Sequence, residues 1–245
     1  MMRLIRKVFS KNYANLPAVE NNSLLLLMYR FAYPFAVVLN KLRISPNQIT
    51  ALSSFFAGFS FVVLISQSGI AWFLFFWGLS ILMDFCDGTV ARMANKVSKS
   101  ALRFDHMSDL IKISLIILGT AVRYDDTKFW SLAFVATFGL LYGDLLNHQL
   151  TVTKKIQNTV NEASVEKSRL REKFRSIAYI VRFPFLVKLI KNLYSLFFTI
   201  NGHTLLLFFI LPVGRKYSTY LLLYLIILEL WTIYTRMLAL HRTER

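Results

Sequence analysis

The chain is expected to fold as an all-α integral membrane protein, with six transmembrane helices preceded by an amphipathic helix lying in the membrane interface. Hydrophobic residues make up 56% of the 245, aromatic residues 15%, and the mean hydropathy is +0.49, well above a soluble domain of this length. Six segments approach the ~20 apolar residues that a helix needs to cross a bilayer. They are 48–66, 70–88, 104–122, 129–150, 193–213 and 217–238. The net charge of +16 is spread over the connections between these segments and forms no aromatic-interleaved groove. It therefore speaks for membrane topology and against a nucleic-acid partner.

Residues 1–47 read as a cytoplasmic tail followed by the interfacial helix. The first 22 carry Arg3, Arg6, Lys7 and Lys11 but no apolar run with a small-residue cleavage site, so nothing there resembles a removable signal. The apolar stretch 23–43 is interrupted by Arg30 and Pro34 and ends in Lys41 and Arg43, which suits a helix in the interface better than a spanning one. Spans one to four occupy 48–150. A basic connection follows over 151–192, with Leu170, Phe174, Ile177 and Val181 at helical spacing among Lys167, Arg171, Arg175 and Arg182, as on an amphipathic helix at a membrane surface. Residues 193–245 hold the last two spans and a short C-terminus. Cationic loops orient the set: Arg92, Lys96, Lys99 and Arg103 lie between spans two and three, and ten Lys or Arg lie within 151–191. Both termini are therefore expected on the cytoplasmic side, with Arg215 and Lys216 the exception on the outer side. The one cysteine, Cys86, excludes an intrachain disulfide and reads as a packed small side chain.

Four of the seven aspartates fall within 26 residues, Asp84 and Asp87 at the end of span two and Asp105 and Asp109 at the start of span three. A carboxylate near the bilayer core costs about 2.5–3.5 kcal/mol unless it is paired, so this cluster is a functional-site candidate. Spacings of three and four put each pair on one helix face, and two helices can aim all four at one point. Such a convergence implies divalent metal, of the kind that binds through a few carboxylates together with substrate phosphates. Gly88 and Ala91 keep one face of the second span low enough for a phosphate to approach, and Arg92 can neutralise its charge. Small residues serve helix packing equally well. The placement at the loop end makes the cluster reachable from the cytoplasm.

The order Asp84, Asp87, Gly88, Ala91, Arg92, Asp105, Asp109 resembles the signature of the CDP-alcohol phosphotransferases, also called CDP-alcohol phosphatidyltransferases. Seven of its eight fixed positions match at the family's spacing, and Ala101 stands where the family has glycine. The likeness covers residues 28–150 well and includes Pro46-Asn47-Gln48-Ile49-Thr50 at the start of span one. It implies transfer of the phosphoalcohol group of a CDP-alcohol, CDP-diacylglycerol being the expected donor, onto a hydroxyl acceptor with release of CMP in phospholipid biosynthesis. It also implies two divalent cations, Mg2+ or Mn2+, on Asp84, Asp87 and Asp105, with Asp109 as general base. The residues alone leave Asp109 equally open as a further metal ligand. Gly88, Ala91 and Arg92 would line the nucleotide and phosphate path. Asn47 and Thr50 would add polar contacts there, unless the Pro46 turn only starts and caps a helix. A homodimer is a further implication of the family.

For the acceptor the sequence offers Lys112, one turn beyond Asp109, and a polar face of Asp144, Asn147 and His148 near the end of span four. Glu229 and His203 carry a weaker case. Gly139 and Gly143 form a small-residue face suited to packing inside the bundle. Intramembrane carboxylates also mark ion paths, so a metal transporter and an inactive scaffold are the alternatives. Against the former no acidic ladder continues to the far side, and against the latter all four aspartates are present.

Overall fold

Where the sequence interrupts its apolar runs, the chain turns. A computed structural model describes residues 23–94, 99–160 and 199–243, with 189, 192, 193, 196 and 197 between them. Among these residues there are seven α-helices and no strand: α1 (Ser23–Lys41), α2 (Pro46–Ile65), α3 (Ile70–Met93), α4 (Lys99–Tyr124), α5 (Thr127–Val160), α6 (Ile200–Ile210), a short 3-10 turn (Leu211–Val213) and α7 (Arg215–Thr243). The N-terminal basic residues and the basic amphipathic stretch around Leu170–Arg182 lie outside the described residues.

Each connection at the start of the bundle is built by local bonding. Arg43 adopts φ 58° in the left-handed region, while its N–H reaches the Asn40 carbonyl and the Ile44 N–H reaches Leu39, so α1 ends in a Schellman turn. Ser45 then caps α2, its hydroxyl accepting from the Gln48 N–H while the Gln48 side chain accepts from the Ser45 N–H, and Pro46 fills the first helical position. The cap is therefore Ser45 with Gln48, and neither Asn47 nor Thr50 is spent on it.

Five helical stretches are long and apolar enough to cross a membrane: Leu24–Lys41, Pro46–Ile65, Ile70–Met93, Thr127–Thr153 and Arg215–His241. Five such helices are the pattern of a multi-pass membrane protein. The set differs in detail from the six segments expected. α1 runs unbroken through Pro34 and is itself long and apolar enough. α4 covers 104–122 and is long enough, but Asp105, His106, Asp109 and Lys112 lower its apolarity. Within 193–213 the continuous described stretch from 199 onward forms the short α6 and its 3-10 turn. α5 does not stop at 150 but continues to Val160, ten residues into the expected basic connection.

Packing follows the small residues. The main core lies between α2, α3, α4, α5, α6 and α7 around Phe73, Trp77, Ile113, Ile116, Phe129 and Leu225. A second cluster joins α1 to α3, with Ala32 and Ala36 against Phe85, Cys86 and Val90. The Cys86 thiol is buried and points at the Ala32 carbonyl, 3.5 Å away. At one end of the bundle Arg123 donates to the Ser68 carbonyl at 2.9 Å, and Asp126 pairs with Arg215. The exceptional cation Arg215 thus meets an anion from the neighbouring loop. The aspartates sit at the opposite end, on the last turns of α3 and the early turns of α4.

α4 packs tightly against α2 at Gly119, where a Cβ would lie 2.9 Å from the Phe61 ring and 3.1–3.2 Å from Leu64. Gly119→Val forces both side chains and the helices apart. It is expected to lower stability by about 1–3 kcal/mol, seen as a reduced thermal midpoint of the purified protein in detergent.

Candidate functional site

Helix phase alone brings the carboxylates together. Asp84 ends one face of α3, Asp105 and Asp109 share a face of α4, and one ligand oxygen from each lies within 4.8 Å of the others. An ion with bonds of about 2.1 Å spaces its oxygen ligands by at most about 4.2 Å, so small side-chain rotations close these three around one cation. All the donors are oxygen, the donor type of hard divalent ions such as Mg2+ and Mn2+. Asp105 Oδ1 is buried and accepts no hydrogen bond, an orphaned lone pair of the kind that a cation satisfies. These residues fit a metal ion.

Asp87 stands one turn from Asp84 but outside this triad. It is 4% exposed, and its Oδ2 accepts a 2.6 Å hydrogen bond from the Thr50 hydroxyl of α2. Thr50 is thus tied to the aspartate cluster from a third helix. Asn47, one turn earlier, is exposed at the start of α2.

Lys112, expected with Asp144 and His148 beside an acceptor, lies instead among the carboxylates. It is buried, with its Nζ 2.5 Å from Asp84 Oδ1 and 3.1 Å from Ser53 Oγ. Asp109 Oδ1 is 2.7 Å away, an ion pair without hydrogen-bond alignment. Ser53 passes its own proton to the Ser80 carbonyl at 2.9 Å, so α2, α3 and α4 are joined through one ammonium. Two like charges about 4 Å apart repel by about 4 kcal/mol at an effective dielectric of about 20. One ammonium among four carboxylates leaves the site strongly anionic, and a further cation lowers that repulsion. Ser53, Ser54 and Ser108 escaped the sequence reading. Ser54 and Ser108 join α2 to α4 by a 2.7 Å hydrogen bond. Their signal was present in the hydroxyl residues Thr50, Ser53 and Ser54 at helical spacing on α2.

Beyond Asp87 the face of α3 opens as its small residues allow. A Cβ on Gly88 would meet the Arg92 guanidinium at 3.2–3.3 Å, so Arg92 folds back over this glycine. Its charge also lies 5.1 Å from the centre of the Tyr29 ring, which brings α1 to the same place. Ala91 is half-buried one turn along. The side chain of Ala101 lies outside the described positions.

A polar cavity of about 530 Å³ adjoins the site between α4, α5, α6 and α7. Asp144 and Asn147 line it, whereas His148 is exposed and does not. His106 joins Asp144 at 2.7 Å, and His203, Glu229 and Arg236 complete its polar wall. Glu229 and His203, the weaker candidates in the sequence, therefore belong with Asp144. Gly139 and Gly143 face α7 within the chain, and a Cβ on Gly143 would fall 2.8 Å from Glu229 Oε2.

Among known protein families, the sequence model described as CDP-alcohol phosphatidyltransferase matches residues 43–242. The range begins just before α2 and ends in α7, so it takes in both aspartate pairs and the cavity, well past the 28–150 in which the sequence likeness is plainest. No curated protein matches the chain.

Removing the ammonium tests its compensating role. Lys112→Met strands the buried carboxylates and is expected to cost about 3–5 kcal/mol in thermal unfolding with EDTA present. Part of that loss should return in millimolar Mg2+. Equal unfolding temperatures for the variant and the native protein in EDTA would show that the ion pairs do not bear on stability.

Proposed function

The chain belongs to the CDP-alcohol phosphatidyltransferase family, and on that premise we propose that it moves the phosphoalcohol group of a CDP-alcohol onto a hydroxyl acceptor and releases CMP. CDP-diacylglycerol is the donor that we favour, which makes the product a phospholipid. The observation that carries the reading is the convergence of Asp84, Asp105 and Asp109, with Asp87 one turn from Asp84 and held by Thr50.

In the proposed reaction the acceptor oxygen forms a bond to the phosphorus that bears the donor's alcohol. The bond from that phosphorus to the bridging oxygen of CMP breaks, and the hydroxyl proton passes to Asp109. When bound, two divalent cations supply charge neutralisation of the pyrophosphate and of the departing CMP. Asp84, Asp87, Asp105 and Asp109 would hold these cations. Asp109 combines that duty with proton acceptance, and Lys112 fixes its carboxylate next to Asp84. The Thr50 hydroxyl sets the orientation of Asp87. Gly88 and Ala91 leave room for the nucleotide, Arg92 offsets its phosphate charge, and Asn47 and Thr50 add polar contacts to that path.

The same reading includes a membrane arrangement of six spans from α2 to α7, with α1 in the interface and with both termini and the site facing the cytoplasm. Cationic loops support it: Arg92, Lys96, Lys99 and Arg103 flank the site, and 151–191 holds ten Lys or Arg. The pairing of Arg215 with Asp126 at the opposite end removes the strongest exception.

CMP release by the full chain in liposomes, with CDP-diacylglycerol, Mg2+ or Mn2+ and a panel of alcohols, tests the proposal. Asp109→Asn is expected to slow it by about 10²–10⁴-fold. If no alcohol in the panel yields CMP above this variant, and diacylglycerol with CDP-choline or CDP-ethanolamine yields none either, the transferase reading fails. Uptake of metal ions into the vesicles without CMP would favour a transporter.

A further inference from the structure

Resting on the transferase reading, we infer that the cavity between α4, α5, α6 and α7 receives the acceptor, and that it selects a small alcohol rich in O–H or N–H donors and without a phosphate.

Position comes first. On α4 Asp109 lies about 60° around the helix from His106, and Asp105 lies on the far side of Asp109. Asp109 is therefore the member of the metal-binding face nearest in helix phase to His106 and Leu110, which line the cavity. A hydroxyl that reaches out of the cavity past these two residues would meet the carboxylate that takes its proton. The volume of about 530 Å³ falls within the roughly 300–1,000 Å³ of small-molecule sites.

The wall chemistry sets the class. Among the described residues, Asp144 and Glu229 bring two carboxylates to the wall, where His106 Nε2 lies 2.7 Å from Asp144 Oδ1 and the Arg236 guanidinium donates to the Gly143 carbonyl. The absent Gly143 side chain leaves the space that Glu229 Oε2 fills, so this carboxylate is seated by the backbone of α5. His203 is 4% exposed, and its Nε2–H donates to the Phe197 carbonyl at 3.0 Å. In a neutral ring Nδ1 is then a lone-pair acceptor, and it is buried without a partner on a side chain that lines the cavity. Glu229 and His203 thus present lone pairs to the space, and Asp144 adds a carboxylate shared with His106. Hydroxyl and ammonium groups satisfy them, whereas a phosphate brings more lone pairs and negative charge against two carboxylates.

Matched acceptor pairs decide the matter. The full chain in liposomes with CDP-diacylglycerol and Mg2+ is given inositol or inositol phosphate, glycerol or glycerol phosphate, serine or phosphoserine. The unphosphorylated member of the pair that is used is expected to show a kcat/KM higher by at least about tenfold. Glu229→Gln and Asp144→Asn are each expected to raise the acceptor KM by about 10- to 100-fold and to leave the donor KM unchanged. Preference for the phosphorylated members overturns the inference and leaves the transferase reading intact. So does an unchanged acceptor KM in both variants. The preference of the native protein serves by itself if either variant fails to fold. Absence of CMP from every pair counts against the transferase reading and takes the inference with it.

Discussion

Concentrated negative charge at one end of an apolar bundle is the constraint on which the rest of the structure depends. Burying four carboxylates together is unfavourable unless cations or strong donors accompany them. The protein supplies Lys112 from α4 and the Thr50 hydroxyl from α2, and it holds the ammonium in place through Ser53, which accepts from Lys112 and donates to the Ser80 carbonyl of α3. One ammonium does not balance four anions, and Asp105 keeps an oxygen without a partner. What is left over is an attraction for added positive charge. A site that binds metal and phosphate together needs this imbalance, so the electrostatic cost of the fold and its proposed chemistry share one origin.

Small residues let that charge be gathered. α2 approaches α4 at Gly119 and presents hydroxyls to it, while α5 leaves room at Gly143 for the Glu229 carboxylate of α7. Close backbone approach lets short side chains such as serine span the gap between helices, where longer ones would have to bend back. The two polar regions, the aspartate cluster and the cavity, stand side by side because adjacent faces of α4 serve both. Asp105 and Asp109 turn one way, His106 and Leu110 the other.

How legible this was depends on the range of the interaction. The aspartate pairs were readable because spacings of three and four on a helix are local, and two local faces suffice to predict convergence. All-helical membrane architecture was readable because bilayer thickness sets the length of an apolar run. The partner of Lys112 was not, since Ser53 lies 59 residues away and Asp84 28, and a lone lysine carries no mark of what it will face. Nor was the pairing of Arg215 with Asp126 readable, because it depends on two loops meeting at one end of the bundle. α5 passes its expected end because Thr151, Thr153 and their polar neighbours end the apolar run without ending the helix, each threonine hydroxyl bonding back to the carbonyl four residues earlier. Glu229 and His203 were underrated for the same reason as Lys112: isolated polar residues in apolar spans acquire meaning only from the helix opposite.

In the proposed reaction Asp84, Asp105 and Asp109 would hold the cation on which the donor's pyrophosphate is bound. Electron–nuclear double resonance on the Mn2+-loaded protein with CDP-diacylglycerol addresses it directly through coupling between the manganese and phosphorus-31. A protein-bound Mn2+ coupled to phosphorus is expected, with both signals lost when the three aspartates are replaced by asparagine in an otherwise folded protein. Undiminished Mn2+ binding in that variant, or bound Mn2+ without phosphorus coupling in the native protein, would contradict it.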